Sequence, residues 1–349
     1  MQIHEQFMQR ALDLALLGHG RTSPNPMVGC VIVLDNNIIG EGYHEQFGMP
    51  HAEVNAILSI NEKALISQST AYVTLEPCSH HGKTPPCAEL LIKHDIKQVI
   101  VGSLDPNPQV SGRGIQLLKQ AGIKVSVGIL EKECMWLNRR FFVNNHLLRP
   151  YIILKWANTA DGFLARENYD SKWISNQYSR KLVHKWRSEE DAIMVGKNTV
   201  LHDNPSLTTR LWQGDNPTRV VIDRHLELEQ NKNVFNNEVP TIIFNTIKNK
   251  EEGTTRYIKI IEKTFLQDCI KQLYLLNIGS VIVEGGATIL NLLIEAGLWD
   301  EARVFTAKHE FGSGIKAPVL VKKHEETSVM GDVLSVYLNP KSEKVWQKS

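Results

Sequence analysis

At 349 residues the chain is longer than the roughly 100–200 residues one core usually organises, so two domains are the first expectation. Its 42% hydrophobic and 22% charged residues exclude a disordered chain, and 39 Lys plus Arg against 38 Asp plus Glu exclude a globally basic nucleic-acid or membrane-surface binder. No apolar run nears the ~20 residues of a membrane span, no basic flank precedes an apolar stretch at the N-terminus, and five scattered cysteines suit a reducing cytoplasm.

In chain order, Phe7, Ala11, Leu14 and Ala15 carry helical spacing, which Gly18 and Gly20 end before the loop SPNPMVG. VGCVIVL and IIGEGYH read as strands, and HAEVNAILSI as a helix whose first turn holds His51 and Glu53. TAYVTLE is a strand running into PCSHHGKTPPC; CAELLIKH is a helix, KQVIVGSLD a strand, GRGIQLLKQAG a helix and IKVSVGI a strand. The stretch 137–151 has no clear period and ends in an Arg-Pro step, which places the domain boundary there. The alternation restarts with the strands YIILKWA, DAIMVG, TRVVID, PTIIFN, YIKII, SVIVEGG and ARVFTA. Helices are expected near SRKLVHKWRSE, FLQDCIKQLYLL and ATILNLLIEAG, so both halves read as α/β.

His51, Cys78 and Cys87 form a His-Cys-Cys set of the kind that holds a catalytic zinc while leaving a fourth position for water. In H-A-E, Glu53 lies on a different face of the helix from His51 and can serve as general acid and base. Cys87 follows Pro85 and Pro86 at a helix start, where the dipole is expected to favour thiolate. H-x-E followed by P-C-x-x-C is the known signature of nucleobase deaminases, although here eight residues separate the cysteines. The expected reaction is attack of metal-activated hydroxide on an amidine-like ring carbon, with Glu53 carrying the water proton to ring nitrogen and leaving amine. Cys30, Cys134 and Cys269 read as core or surface thiols. In the second half, the paired glycines of VIVEGGATIL could admit a phosphate to a helix N-terminus, or merely turn strand into helix; there is no G-x-G-x-x-G fingerprint.

SPNPMVGCVIV, GEGYH, PHAEVNA, AYVTLEPCSHHGKTPPC and DPNPQVSGRG, followed by KWANTADG, SKWIS, HKWRSEEDAIMVGKNTVLHDNPSLTTR, VVID and VIVEGGATILNLLI, together resemble the bifunctional riboflavin-biosynthesis deaminase-reductase family over nearly the whole chain. The long interval between the cysteines is that family's own form of the motif. The resemblance implies a cytidine-deaminase-like three-layer α/β domain over 1–147 and a dihydrofolate-reductase-like α/β domain over 148–349, with Zn2+ and NADPH as cofactors. It implies deamination of a diaminopyrimidinone ribotide, then reduction of its ribosyl group to ribityl. Asn25, His44, His80 and Lys83 would contact substrate in the first domain, and Ser171, Arg187, Leu207, Arg210 and Glu284 in the second. Ala157, Trp173, Thr199, Asp203 and the stretch Gly286, Ala287, Thr288, Ile289, Leu290, Asn291 and Leu292 would contact cofactor. A surface ion pair is the commoner role for either arginine alone and a turn for Asp105 and Asn107, while a solvated loop position for His44 and His80 and an exposed surface position for Lys83 are equal alternatives to substrate contact. Two departures from the family pattern are Thr159-Ala160-Asp161-Gly162 and Asp203-Asn204-Pro205, neither of which disables the reductase half; Ala287 and Thr288 in the glycine loop leave room for phosphate.

The competing readings are a deaminase whose second half has become a binding or dimerisation module, a nucleic-acid-editing deaminase, and a structural zinc protein. The balanced charge disfavours the second, and Glu53 beside an open ligand position disfavours the third. A small-molecule substrate, no nucleic-acid or membrane partner, a homo-oligomeric assembly and a cytoplasmic location are the remaining expectations.

Overall fold

A computed structural model describes residues 2–80, 85–107, 111–171 and 174–346. The chain divides into two compact units, one of Met1–Leu147 with Val345–Ser349 and one of Leu148–Lys344.

The first unit runs α1 (Gln2–Leu16), β1 (Gly29–Leu34), β2 (Asn37–Tyr43), α2 (Ala52–Ser59), β3 (Thr70–Leu75), α3 (Cys87–Lys93), β4 (Gln98–Ser103), α4 (Arg113–Gln120), β5 (Lys124–Val127), α5 (Glu131–Leu137) and α6 (Arg139–Leu147). Its five strands lie in the order β2-β1-β3-β4-β5, with β2 and β1 antiparallel to their neighbours and β3, β4 and β5 parallel. Strands alternate their side chains, and this separates two cores. Val31, Val33, Tyr72 and Ile100 pack under α1 and α5 with Phe7, Met8, Ala11 and Leu137. Cys30, Ile32, Val73, Val99 and Val101 pack on the opposite face with Ala52 and Ala56 of α2, Leu91 of α3 and Leu118 of α4. The result is helix, sheet, helix in three layers. Gly42 brings α2 onto β2: a Cβ there would lie 2.2 Å from Ala56 N and 2.6 Å from Ala52 O. Helix α6 occupies most of the stretch 137–151, whose sequence shows no period, because it buries only Phe142 and Val143 and so lacks a continuous apolar stripe.

The second unit runs β6 (Tyr151–Asn158), β7 (Phe163–Ala165), α7 (Gln177–Glu189), β8 (Ala192–Gly196), α8 (Lys197–Asp203), β9 (Thr218–Ile222), β10 (Thr241–Asn245), β11 (Lys250–Glu252), β12 (Thr255–Lys259), α9 (Phe265–Leu275), β13 (Ser280–Val283), α10 (Ala287–Glu295), β14 (Glu301–Thr306), β15 (Ile315–Lys316), β16 (Glu325–Val329) and β17 (Asp332–Leu338). Ten strands form one sheet in the order β11-β12-β10-β9-β8-β13-β6-β14-β17-β16. From β12 to β14 every neighbouring pair is parallel. The carboxyl ends of β6, β8, β9 and β13 therefore share one edge of the sheet, which is where ligands bind in open parallel sheets. Interior strands such as β8 and β13 are buried almost throughout, hence their unbroken apolar runs. Hairpin β16-β17 escapes the sequence pattern because β16, Glu-Glu-Thr-Ser-Val, buries none of its residues. Asp332 of that hairpin accepts hydrogen bonds from Asn176 N at 2.8 Å and Ser179 Oγ at 2.6 Å, fixing the start of α7, which Asn176 itself caps.

Candidate active sites

In the first unit, His51 is the N-cap of α2, Cys87 is the first residue of α3, and Cys78 lies in the extended segment after β3. Asn55 Nδ2 donates to Tyr43 O at 2.8 Å and Asn55 N to His51 O at 3.1 Å, tying the start of α2 to the end of β2. The imidazole nitrogen and both sulfurs lie within 4.8 Å of one another; His51 Nδ1 is 3.6 Å from Cys78 Sγ and 3.3 Å from Cys87 Sγ. One imidazole and two thiols at this spacing fit zinc with a fourth position open.

The thiols are unequal. The hydrogen bond from Cys87 outweighs burial and, with His51, brings Cys78 down to about 4, whereas the same contact and burial push Cys87 up. Contact with Cys87 and His51 thus favours negative charge on Cys78, and both sulfurs face the same imidazole. Glu53 is 3% exposed, and burial, then the Cys78 charge, raise its carboxyl to about 7. A group there is poised both to accept and to release a proton near neutrality.

His44 is buried, not solvated. Its Nδ1 faces Pro50 O at 3.1 Å and its Nε2 faces Asn25 Nδ2 at 3.2 Å, so the ring donates from Nδ1 and accepts from the Asn25 amide. Its edge meets His51 at 5.4 Å between centroids, and burial lowers its pKa, keeping it neutral. Two residues after Asn25, the loop is held by a residue its motif does not indicate: Asn138 accepts from Met27 N at 2.8 Å and donates to Met27 O at 2.9 Å. His80 is exposed, and Lys83 lies outside the described residues. Asp105 Oδ1 accepts from Asn107 N at 2.8 Å, an Asx turn.

In the second unit, Arg187 on α7 grips Glu284, the residue after β13, through two parallel hydrogen bonds of 2.7 and 2.9 Å, and donates from Nη1 to Thr208 O at 3.1 Å. Lys155, in the middle of β6, reaches the same carboxylate at 3.6 Å. Lys155 opens the stretch KWANTADG without being singled out there; its own signal is a single charge inside the apolar run YIILKWA. These are buried ion pairs rather than the surface pair that an isolated arginine suggests, with side chains 10–15% exposed. Arg210 is exposed; its backbone N–H donates to His184 Nδ1 at 2.9 Å and its Nη1 to Thr208 Oγ1 at 3.4 Å. Leu207 is buried with φ +53°, and Ser171 follows a loop whose Tyr169 stacks on His202 of α8 at 4.2 Å.

Along the same sheet edge, Ala157 is the penultimate residue of β6, and Thr199 and Asp203 ride on α8. Gly286, the N-cap of α10, has no side chain to cap it, and a Cβ there would find only Thr199 Oγ1, at 3.9 Å. The first N–H groups of α10 beside a hydroxyl and glycine-wide space fit the phosphates of a dinucleotide. Of the expected stretch, Ala287, Thr288, Asn291 and Leu292 remain at least partly accessible, whereas Ile289 and Leu290 bury their side chains in the core. Trp173 lies outside the described residues. The departures have local reasons. Asn204 ends α8 at φ +40°, a conformation asparagine tolerates, and pins Asn233 through two hydrogen bonds. Asp161 accepts from Thr159 Oγ1, Phe311 N and Gly312 N, so threonine supplies a hydroxyl in the turn.

Two groups make this unit acid-labile. Burial, then Arg187 and Arg210, lower His184 to about 4; burial would raise Glu284, but Arg187 and Lys155 overcome it and hold the carboxyl at about 2. In both cases the unfolded chain binds the proton at higher pH than the folded unit does. Stability is therefore expected to fall as pH drops from about 6.5 to 4 through His184, and from about 4.5 to 2 through Glu284. Urea midpoints against pH check this, and a His184→Gln variant that kept the full upper slope would refute the assignment.

Residues 1–103 match the cytidine and deoxycytidylate deaminase zinc-binding region, and residues 150–338 match the RibD C-terminal domain. The chain is 43% identical over 322 residues to riboflavin biosynthesis protein RibD of Aquifex aeolicus (strain VF5), covering 90% of this chain and 89% of that protein. It is 40% identical over 327 residues to the Escherichia coli (strain K12) protein of the same name, covering 88% and 89%. The crystal structure of a diaminohydroxyphosphoribosylaminopyrimidine deaminase/5-amino-6-(5-phosphoribosylamino)uracil reductase from Thermotoga maritima matches with a TM-score of 0.89 at 37% identity, over 97% of this chain and 99% of that one.

Proposed function

Because the chain belongs to the RibD family of riboflavin biosynthesis, and is a bifunctional deaminase and reductase, we propose that His51, Cys78 and Cys87 hold its zinc and that Glu53 moves the protons of deamination. The observation that carries this reading is the buried Glu53 carboxyl, held near 7, beside a compact nitrogen and sulfur donor set. When bound, zinc supplies Lewis acidity that activates water and NADPH supplies a hydride. Glu53 accepts one proton of the attacking water at its carboxylate and delivers it to the ring nitrogen, then carries the remaining hydroxyl proton to the departing amine. Neutral His44 orients the Asn25 amide, which reads the pyrimidinone edge by hydrogen bonding.

In the reductase unit, the Arg187–Glu284–Lys155 cluster faces the sugar, and exposed Arg210 offers its guanidinium to the phosphate. The N-terminus of α10 with Thr199 binds the pyrophosphate of NADPH, while Ala157 and Asp203 line the same edge. The substrate is the diaminopyrimidinone ribotide, deaminated first and reduced second, as the names of the relatives describe for those proteins. No described helix is long and apolar enough to cross a membrane, and no disulfide joins any of the five cysteines, which supports a reducing compartment.

The full chain supplied with this ribotide should release ammonia and consume NADPH together. After zinc is stripped by a chelator, ammonia release should stop, whereas the deaminated aminouracil ribotide should still be reduced. Full ammonia release from zinc-free protein would refute the deaminase assignment, and ammonia without NADPH loss would refute the reductase assignment.

A further inference from the structure

We propose that Glu76 is a positioning residue of the deaminase, holding the segment that presents Cys78 by capping helix α4 from outside. Two of the three zinc-holding residues sit on helices, His51 as the cap of α2 and Cys87 at the start of α3. Cys78 has no element of its own. Downstream it is held by Ala88 N donating to its carbonyl at 3.1 Å and Cys87 N facing its sulfur at 3.3 Å.

Upstream, two residues away, stands Glu76, 4% exposed. Its Oε2 accepts from Gly112 N at 2.9 Å and Asp105 N at 3.3 Å; its Oε1 accepts from Gly114 N at 2.9 Å and Ile115 N at 3.4 Å. Gly112 is the N-cap of α4, in the left-handed region at φ +78°, and as glycine has no side chain with which to cap. A carboxylate from 36 residues earlier thus replaces the missing cap, with its charge at the positive end of the helix. The contact is tight. A Cβ on Gly114 would lie 2.0 Å from Pro77 O, so the first turn of α4 rests directly on the peptide between Glu76 and Cys78. The DPNPQVSGRG motif thereby acquires a purpose: its described ends, Asp105 and Gly112 to Ile115, are the counterpart that locks TLEPC. Four N–H groups want acceptors, and only a carboxylate offers two oxygens with no proton among them.

The inference rests on zinc ligation by His51, Cys78 and Cys87. Full-length wild type, Glu76→Ala, Glu76→Gln and Gly114→Ala chains are loaded with zinc, and release to a chromophoric chelator is timed. The deaminase KM and kcat and the reduction of the aminouracil ribotide are measured alongside. Zinc release is expected to accelerate at least tenfold in Glu76→Ala and less in Glu76→Gln, which keeps one acceptor oxygen, with deaminase kcat falling in the same order and reduction within twofold of wild type. Gly114→Ala leaves the carboxylate intact, displaces the same peptide, and should also release zinc faster. If Glu76→Ala fails to fold, the Gln and Gly114→Ala chains decide the matter by the same ordering. Zinc release and kcat at wild-type values in all folded variants would overturn the clamp alone. A wild-type chain that retained no zinc would overturn the ligand assignment, and the clamp with it.

Discussion

Replacing Glu53 with Gln is expected to lower the rate of ammonia release by about 10²–10⁴-fold, the range ascribed to a positioned general acid or base. The amide preserves size and hydrogen bonding but can neither take the water proton nor deliver it. Glu53 is not part of the donor cluster, so bound zinc should be unchanged, and reduction of the aminouracil ribotide in the other unit should continue at its usual rate. KM should move little, because the loss falls on the transition state. The position suits proton traffic because burial and the Cys78 charge raise the carboxyl to about 7; positive charge at the donor cluster would offset the latter and favour the base form. Steady-state ammonia assays with metal analysis check this, and a variant within twofold of wild type would show that another group carries the proton.

Removing Arg187 should have the largest effect on stability. Arg187→Ala strands the Glu284 carboxylate in a site where it is about 10% exposed, with Lys155 at 3.6 Å as its remaining ion-pair partner among the described residues. Breaking a buried ion pair from one side costs about 3–5 kcal/mol, which for a unit of this size lowers the melting temperature by roughly 6–20 °C. The double variant Arg187→Ala/Glu284→Gln should recover part of this loss, since the stranded charge is gone; that non-additivity separates a buried pair from two independent contacts. Calorimetry of the four proteins in the cycle, with NADPH oxidation measured below the transition, is the test. Additive losses would mean that the two side chains do not depend on one another.

Much of the fold is legible from periodicity. The apolar run GCVIVL and the 3.6-residue spacing of the first helix each survive as an element, because those patterns face a core that demands them. The segments that escape, α5 and α6 and the β16-β17 hairpin, bury few residues or none on one strand, so little apolar pattern marks them. In the site, H-A-E and the two cysteines declare themselves by chemical type and order. Asn138, Lys155 and Glu76 do not, because their partners lie on distant segments and their residue types are commonplace.

The sequence alone determined the family, the two α/β halves and the donor types of the metal centre, since each is encoded in local spacing and side-chain chemistry. Only the tertiary structure decided how the two thiols meet His51, why Glu284 stays ionised, and what holds Cys78 in place. These depend on burial and on approaches of a few ångströms between residues far apart in the chain. Electrostatic effects of that kind grow as water is excluded, and the exclusion exists only once the layers have packed.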